Sequence, residues 1–200
     1  MRTEAREERR KEIAAAALAL LEAHGYAGTT MQAVAKRAGA SMETLYNWYG
    51  DKTGLFRALV SHNATEVRDM LEAHAGDGHD AIAVLEDLGP RLLALVTGET
   101  AIALNRAAAT DQTGELGSAI ASAGRETIGP MVEALFRRAN DAGQLAIGDA
   151  QEATEIYFSL LIGDLQVRRV IGQLKPLTKA QARKRSERAT TIIRRLYGPA

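Results

Sequence analysis

Apolar residues recur along this chain at three- and four-residue spacing almost without interruption, the period of helices with one buried face. Ile13, Ala16, Ala17, Leu20 and Leu21 mark a first stripe and predict a helix from about Thr3 to His24, with His24-Gly25 ending it and Tyr26 closing the junction. Met31, Val34, Ala35 and Ala38 mark a second, shorter stripe. Thr30 stands where its hydroxyl caps that helix, and Gly39 where a left-handed C-cap costs glycine little. Ser41 then caps a third helix, with Leu45 and Trp48 inward and Met42, Glu43, Thr44, Tyr46 and Asn47 mostly outward. The small Ala35 lets the two helices cross closely. Two short helices across so tight a turn match the helix-turn-helix, whose second helix enters the DNA major groove. The plain alternative is an ordinary αα-hairpin.

The period continues to the end of the chain. Asp51 caps a long helix expected to run through Leu55, Phe56, Leu59, Val60, Val67 and Leu71, with Lys52 in its first turn. Ile82, Leu85, Leu88, Leu92, Leu95 and Val96 predict a helix from Asp80 to Gly98, kinked at Pro90. A small-residue helix follows from Ala101 to Asp111. After Gly114, the positions Leu116, Ile120, Ile128, Met131, Leu135 and Phe136 are helical, interrupted at Gly129-Pro130 and stopped at Ala142-Gly143. Residues 150–172 read as one helix, apolar over a wider arc than a single stripe needs. Thr178 caps the last helix, whose inner face is Ala182, Ala189, Ile192, Ile193 and Leu196. No stretch alternates like a strand, so the fold class is all-α.

The excess apolar arc predicts half of an intermolecular four-helix bundle built from helix 150–172 and the last helix. Its expected contacts are Leu160, Gly163, Asp164, Val167, Ile171, Ala189, Ile192 and Leu196, with Gly163 allowing close approach. Burial within one subunit is the alternative, and Asp164 has a plainer role as the partner of Arg168 at i+4.

Charge changes the picture once the chain is divided. The net charge of zero argues against nucleic acid, yet residues 1–60 hold nine Lys/Arg against seven Asp/Glu. Residues 61–155 hold six against sixteen, and residues 156–200 ten against two, so an acidic middle offsets basic ends. Arg2, Arg6, Arg9 and Arg10 suit a phosphate-touching arm, or equally a face paired with Glu4, Glu7, Glu8 and Glu12. The absence of cysteine excludes disulfides and thiolate metal sites and fits a cytoplasmic protein. Arg9-Arg10-Lys11 before IAAAALALL imitates a secretion leader, but four early glutamates oppose that. No apolar run approaches the ~20 residues a membrane span requires. Two His and two Asp between His74 and Asp80 admit a metal loop; the glycines among them favour a helix–loop–helix junction.

TLYNWYGDKTGLF resembles the T-L-Y-x-H-F-x-x-K-x-x-L signature of the tetracycline-repressor (TetR) family of bacterial transcription factors, and TTMQAVAKRAGAS is similar to that family's second helix and turn. The chain departs from the signature at Trp48 for His, at Tyr49 for Phe and at Gly54 near a helix start. GELGSAIASAGRETIGPMVEALFRRANDAGQL, with YFSLLIGDL after it, is similar to a C-terminal domain of one branch of the family. The resemblance implies a helix-turn-helix DNA-binding domain over residues 1–57 and a helical ligand-binding and dimerisation domain over 58–200.

The combined expectation is a cytoplasmic homodimeric repressor on a palindromic double-stranded operator, released by a small apolar or amphipathic effector. Thr30, Tyr49 and Lys52 are expected at phosphates and Met42, Glu43, Thr44, Tyr46 and Asn47 at bases, with Ser41 and Trp48 completing the interface. Leu92, Met131, Phe136, Tyr157 and Phe158 suit an apolar ligand pocket. No cofactor, metal or membrane partner is expected. The rivals are a helical adaptor without DNA binding and a small helical enzyme; the latter needs paired acid and base groups, and the four His are scattered.

Overall fold

The computed structural model describes residues 2–76 and 80–199. Among them the chain forms α1 (Arg2–Gly28), α2 (Met31–Ala38), α3 (Met42–Tyr49), α4 (Lys52–Asn63), α5 (Thr65–Ala73), α6 (Ala81–Thr97), α7 (Glu99–Thr110), α8 (Glu115–Ala123), α9 (Arg125–Asp141), α10 (Ala150–Leu161), α11 (Leu165–Val170) and α12 (Lys179–Tyr197), with no strand. Packing gathers them into two compact units, Met1–Asn63 with Glu99–Gly124 and Ala64–Gly98 with Arg125–Ala200. The division is discontinuous in sequence, where a single boundary after residue 57 is expected.

In the first unit Ile13, Ala17 and Leu21 of α1 meet Leu45 of α3 and Leu55 and Phe56 of α4 in one apolar cluster. Leu104, Ala107, Leu116 and Ala123, from α7 and α8, complete it. Near its end α1 is broken by Gly25, whose φ of 67° and ψ of −178° are non-helical. The long helix expected from Asp51 to Leu71 does not form. It stops at Asn63, and Ala64 has ψ near −1°. Asn63 and Thr65 are weak helix formers. The burial changes there as well: α4 serves the first core, whereas Val67, Met70 and Leu71 of α5 enter the second.

The second unit closes around Leu85, Leu88, Leu93, Val132, Phe136, Tyr157, Leu161 and Ile193. Helix α6 runs through Pro90. The proline lacks the N–H that would bond the Glu86 carbonyl. From α12 the Ser186 hydroxyl donates to that carbonyl at 3.0 Å, and the Tyr157 hydroxyl donates to the adjacent Leu85 carbonyl at 2.9 Å. Gly89 makes this approach possible, since a Cβ there would lie 2.0 Å from Ser186 Oγ.

Further expectations need correction here. The interruption expected at Gly129-Pro130 falls instead at Gly124 (φ −105°, ψ −95°), and α9 passes through Pro130. Helix 150–172 is two helices, separated at Gly163, whose φ is +51°. Gly163 is therefore a turn residue and not a close-approach point within a straight helix. The Arg185 guanidinium donates to the Leu161 carbonyl at this break, and a Cβ at Gly163 would lie 2.7 Å from Arg185 Nη2. Ala189, expected at a dimer interface, is buried in this unit's own core. Its neighbours Ser186, Thr190 and Ile193 rotate that side of α12 inward.

Candidate nucleic-acid interface

Local chemistry fixes the pair α2 and α3. Thr30 Oγ1 accepts from Ala33 N at 3.1 Å and caps α2. At the other end Gly39 adopts the left-handed conformation (φ 63°, ψ 28°) that a side chain disfavours. Its N–H reaches the Lys36 carbonyl at 3.4 Å and Ala40 N reaches the Ala35 carbonyl at 2.9 Å, a Schellman closure. From α1 the Arg9 guanidinium donates to the Ala38 carbonyl at 3.0 Å and also to the Gly39 carbonyl. Ser41 Oγ accepts from Thr44 N at 3.0 Å, opening α3. Leu45 is the fully buried plug of that helix.

The opposite face of α3 is free for contact. Tyr46 is 52% exposed, Glu43 and Asn47 are exposed, and Met42 and Thr44 are half-buried. Thr44 and Ser41 hydroxyls sit 2.8 Å apart, so part of their bonding capacity is used within the cap. Beside this face opens a cleft of about 490 Å³, bordered by Thr29, Thr30, Gln32, Met42, Tyr46 and Lys52. The first turn of α2 forms one wall, which adds the partial positive charge of a helix N-terminus.

Lys52, expected at a phosphate, is held on the cleft wall. Its Nζ donates to the Tyr26 carbonyl at 3.0 Å and lies 4.0 Å from the centre of the Tyr26 ring. Asp51 Oδ1 accepts from Gly54 N at 2.6 Å and caps α4. The departure from the signature at Gly54 has a steric cause: a Cβ there would lie 2.0 Å from the Tyr49 carbonyl oxygen. Trp48 is half-buried, with the Arg6 and Arg10 guanidinium carbons 5.4 and 5.9 Å from its ring centre. Tyr49 is edge-on to Trp48 at 6.3 Å, and burial raises its hydroxyl above the ordinary tyrosine pKa while Arg10 pulls the other way.

The basic residues of α1 are largely committed within the unit. Arg9 pairs with Glu12 at 2.6 Å, Arg10 with Glu7 at 2.8 Å and Lys11 with Glu8 at 3.5 Å. The Arg2 side chain lies outside the described residues. Sequence reasoning missed Thr29, which is wholly buried and donates to the Gly25 carbonyl at 2.8 Å, and Gln32 at the cleft. It also missed the ties of Tyr26 to Thr53 and Glu115.

In the second unit Leu92, Phe136, Tyr157 and Phe158 are brought together, with Met131 against their edge. They pack on one another as core: Phe136 and Tyr157 rings are 6.0 Å apart edge to face, and Tyr157 and Phe158 6.1 Å. Burial pushes the Tyr157 hydroxyl far above its ordinary pKa. The Arg125 guanidinium carbon lies 5.6 Å from the Phe158 ring centre. Of the expected dimer contacts, Val167, Ile171 and Leu196 are exposed by more than half, and Leu160 and Ile192 are half-buried. Asp164 is exposed, 3.9 Å from Arg168.

Asp77 and His79 of the candidate metal loop lie outside the described residues. His74 Nδ1 sits 2.7 Å from the Met70 carbonyl, and Asp80 caps α6. Among the described residues no group of three His, Asp or Glu is placed to hold a metal, and no helix is long and apolar enough to cross a membrane.

Comparison with known proteins assigns both halves. The family described as bacterial regulatory proteins, tetR family, matches residues 13–59. The AefR-like transcriptional repressor C-terminal domain matches residues 83–199, more than half of the chain. The HTH-type transcriptional regulator BetI of Burkholderia lata is 35% identical over 91 residues, covering 46% of this chain and 44% of that protein. The chain thus spans less than half the length of that curated relative. A TetR transcriptional regulator from Agrobacterium tumefaciens has a TM-score of 0.75 at 27% identity, covering 94% of each chain. SmeT, solved as a complex with triclosan, shares the fold with a TM-score of 0.72 at 24% identity, over 95% of this chain and 91% of that one. The chain belongs to the TetR family of DNA-binding transcriptional regulators.

Proposed function

We propose that this regulator is a homodimeric repressor that binds a palindromic operator and is released by a small apolar or amphipathic molecule. The observation that carries the reading is the exposed Glu43–Tyr46–Asn47 face of α3 beside a cleft edged by Lys52. Tyr46, Met42, Thr44, Asn47 and Glu43 read base edges, while Thr30, Tyr49 and Lys52 take phosphates. Ser41 acts as the cap that aims α3, and Trp48 as its packing brace against α1.

Exposed Val167 on α11, Ile171 at the end of that helix and Leu196 on α12 are apolar surface in need of cover. A second copy provides it, with Leu160 and Ile192 at the margin. Two reading heads about a twofold axis then meet half-sites about one DNA turn, or somewhat more, apart. For the effector, the Leu92, Met131, Phe136, Tyr157 and Phe158 cluster supplies an apolar body and Arg125 a cationic edge, the pair of features an amphipathic molecule recognises. SmeT, of the same fold, was solved in complex with triclosan. Release acts through the difference in effector affinity between two states, and a tenfold loss of DNA affinity requires about 1.4 kcal/mol of coupling.

The test is a DNA titration with Tyr46→Ala. A folded variant should lose about 1–3 kcal/mol of operator affinity. Wild-type affinity in that variant removes Tyr46 from the interface. Sedimentation of the wild type addresses the dimer: a monomer at micromolar concentration ends that part of the reading.

A further inference from the structure

The GELG stretch that opens α8 meets Tyr26, the residue that holds Lys52 on the wall of the DNA-side cleft. Asp111 builds the turn before it: Oδ1 accepts from Thr113 N at 3.1 Å and from the Thr113 hydroxyl at 2.8 Å, and Oδ2 accepts from Leu116 N at 3.1 Å. Thr113 Oγ1 then accepts from Glu115 N at 3.2 Å, and Gly114 takes the left-handed φ of 72° that the turn requires. Leu116 is wholly buried in the first unit's core. Glu115 is therefore fixed on both sides along the chain.

Its carboxylate meets two side chains. Oε2 lies 3.1 Å from the Tyr26 hydroxyl, which donates to it, and 3.3 Å from the Thr53 hydroxyl. Tyr26 is buried, with its ring edge-on to Phe56 at 5.4 Å. Against the same tyrosine sits the Lys52 ammonium, 3.0 Å from its carbonyl and 4.0 Å from its ring centre. A phenol that donates to a carboxylate carries more electron density on its ring, so the Glu115 bond strengthens the hold of the ring on the cation. One ammonium hydrogen goes to the Tyr26 carbonyl, leaving two for a ligand.

We propose that Glu115 is a positioning residue for DNA binding, which through Tyr26 holds the Lys52 ammonium on the cleft wall in the place where it takes a phosphate. This rests on the reading of Lys52 as a phosphate contact. A lysine already held there loses less side-chain freedom when the duplex arrives than one that swings in solvent. The arrangement also ties the DNA contact to α8, a helix from the middle of the chain.

The experiment uses the full chain and a duplex recovered by the wild type from a random-sequence pool, titrated over a range of salt. Glu115→Ala and Tyr26→Phe should each weaken binding by about three- to tenfold, the size of one ordinary hydrogen bond. Both should flatten the salt dependence by about one phosphate contact, as Lys52→Gln does. Glu115→Gln keeps an acceptor for the Tyr26 hydroxyl and should stay within about twofold of wild type, whereas in the Lys52→Gln background Glu115→Ala should add almost nothing. Unchanged affinity and slope in folded Glu115→Ala overturns the proposal, as does a full loss that persists without Lys52. Should Glu115→Ala fail to fold, the near-isosteric Tyr26→Phe decides by the same criteria. If Lys52→Gln binds as tightly as the wild type, the phosphate contact itself is removed, and with it the premise.

Discussion

The two units hold their helices in place by different means. In the DNA-reading pair the caps are local: Thr30 to Ala33, Ser41 to Thr44, Ala40 to Ala35, each within five residues, with Arg9 of α1 as a distant donor to the turn. In the second unit, helix irregularities are repaired from far along the chain. Ser186 answers the Glu86 carbonyl that Pro90 leaves free, Tyr157 answers Leu85, Arg185 answers Leu161, and Arg169 donates to the Thr97 carbonyl at 3.0 Å. Each cap in the head holds its own helix end, while the head's core still draws on α1, α4, α7 and α8. A body whose helix defects are closed by distant side chains has several joints that one inserted molecule can open together, which suits a sensing role.

Substitutions can break this contrast, starting with the most damaging. Phe136→Ala, at the centre of the second core, should cost about 3–5 kcal/mol in denaturant unfolding. A loss under 1 kcal/mol would mean that the cluster is already loosely packed. Ser186→Ala leaves the part-buried Glu86 carbonyl without its donor and should cost about 1 kcal/mol. Hydrogen exchange should show the loss spread through α6 and α12, and confinement to one turn would contradict a body held by distant bonds.

Tyr157 adds a pH dependence. Its folded-state pKa is raised by burial, so the unfolded chain ionises first as pH climbs past the ordinary tyrosine value. Its contribution is complete below pH ~10 and is lost as pH rises toward the folded pKa, at up to about 1.4 kcal/mol per pH unit. Tyr157→Phe should make the alkaline unfolding profile shallower; an unaltered profile would assign that unfolding to other groups. Ser41→Ala should cost about 1 kcal/mol. The loss should appear as faster exchange at the first turn of α3 while α6 is untouched. Arg183→Ala, exposed and 3.7 Å from Glu187, should change stability by less than about 0.5 kcal/mol.

The same contrast explains what the sequence disclosed. Thr30, Gly39 and Ser41 were legible because caps act over three or four residues, and a glycine after Ala38 has few other uses. Asp51 and Thr178 followed the same logic. Gly163 was not legible: the apolar period runs on past it through Leu165, Val167 and Val170, and the break is held by Arg185, on α12. Ala189 was misassigned because apolar arc on α12 says that a face is covered, not by what. The periodicity of Leu116 likewise announced burial without revealing that it shares a core with Leu45 and Phe56. At the cleft, the α3 face was readable from its polar character. Lys52 was identified as a cation near the backbone, yet its anchorage by Tyr26 depends on a carbonyl that no side-chain pattern encodes.

The discontinuity of the first unit bears on how regulators of this kind exchange parts. A chimera that transplanted only residues 1–63 onto a foreign effector body would strip away Leu104, Ala107 and Leu116 and leave apolar faces of α1 and α4 bare. The heritable cassette is larger and is written in two pieces, 1–63 and 99–124. Recombination that swaps binding specificity between paralogues must carry both, or confine itself to the exposed positions of α3, where new letters can be tried without disturbing the splice.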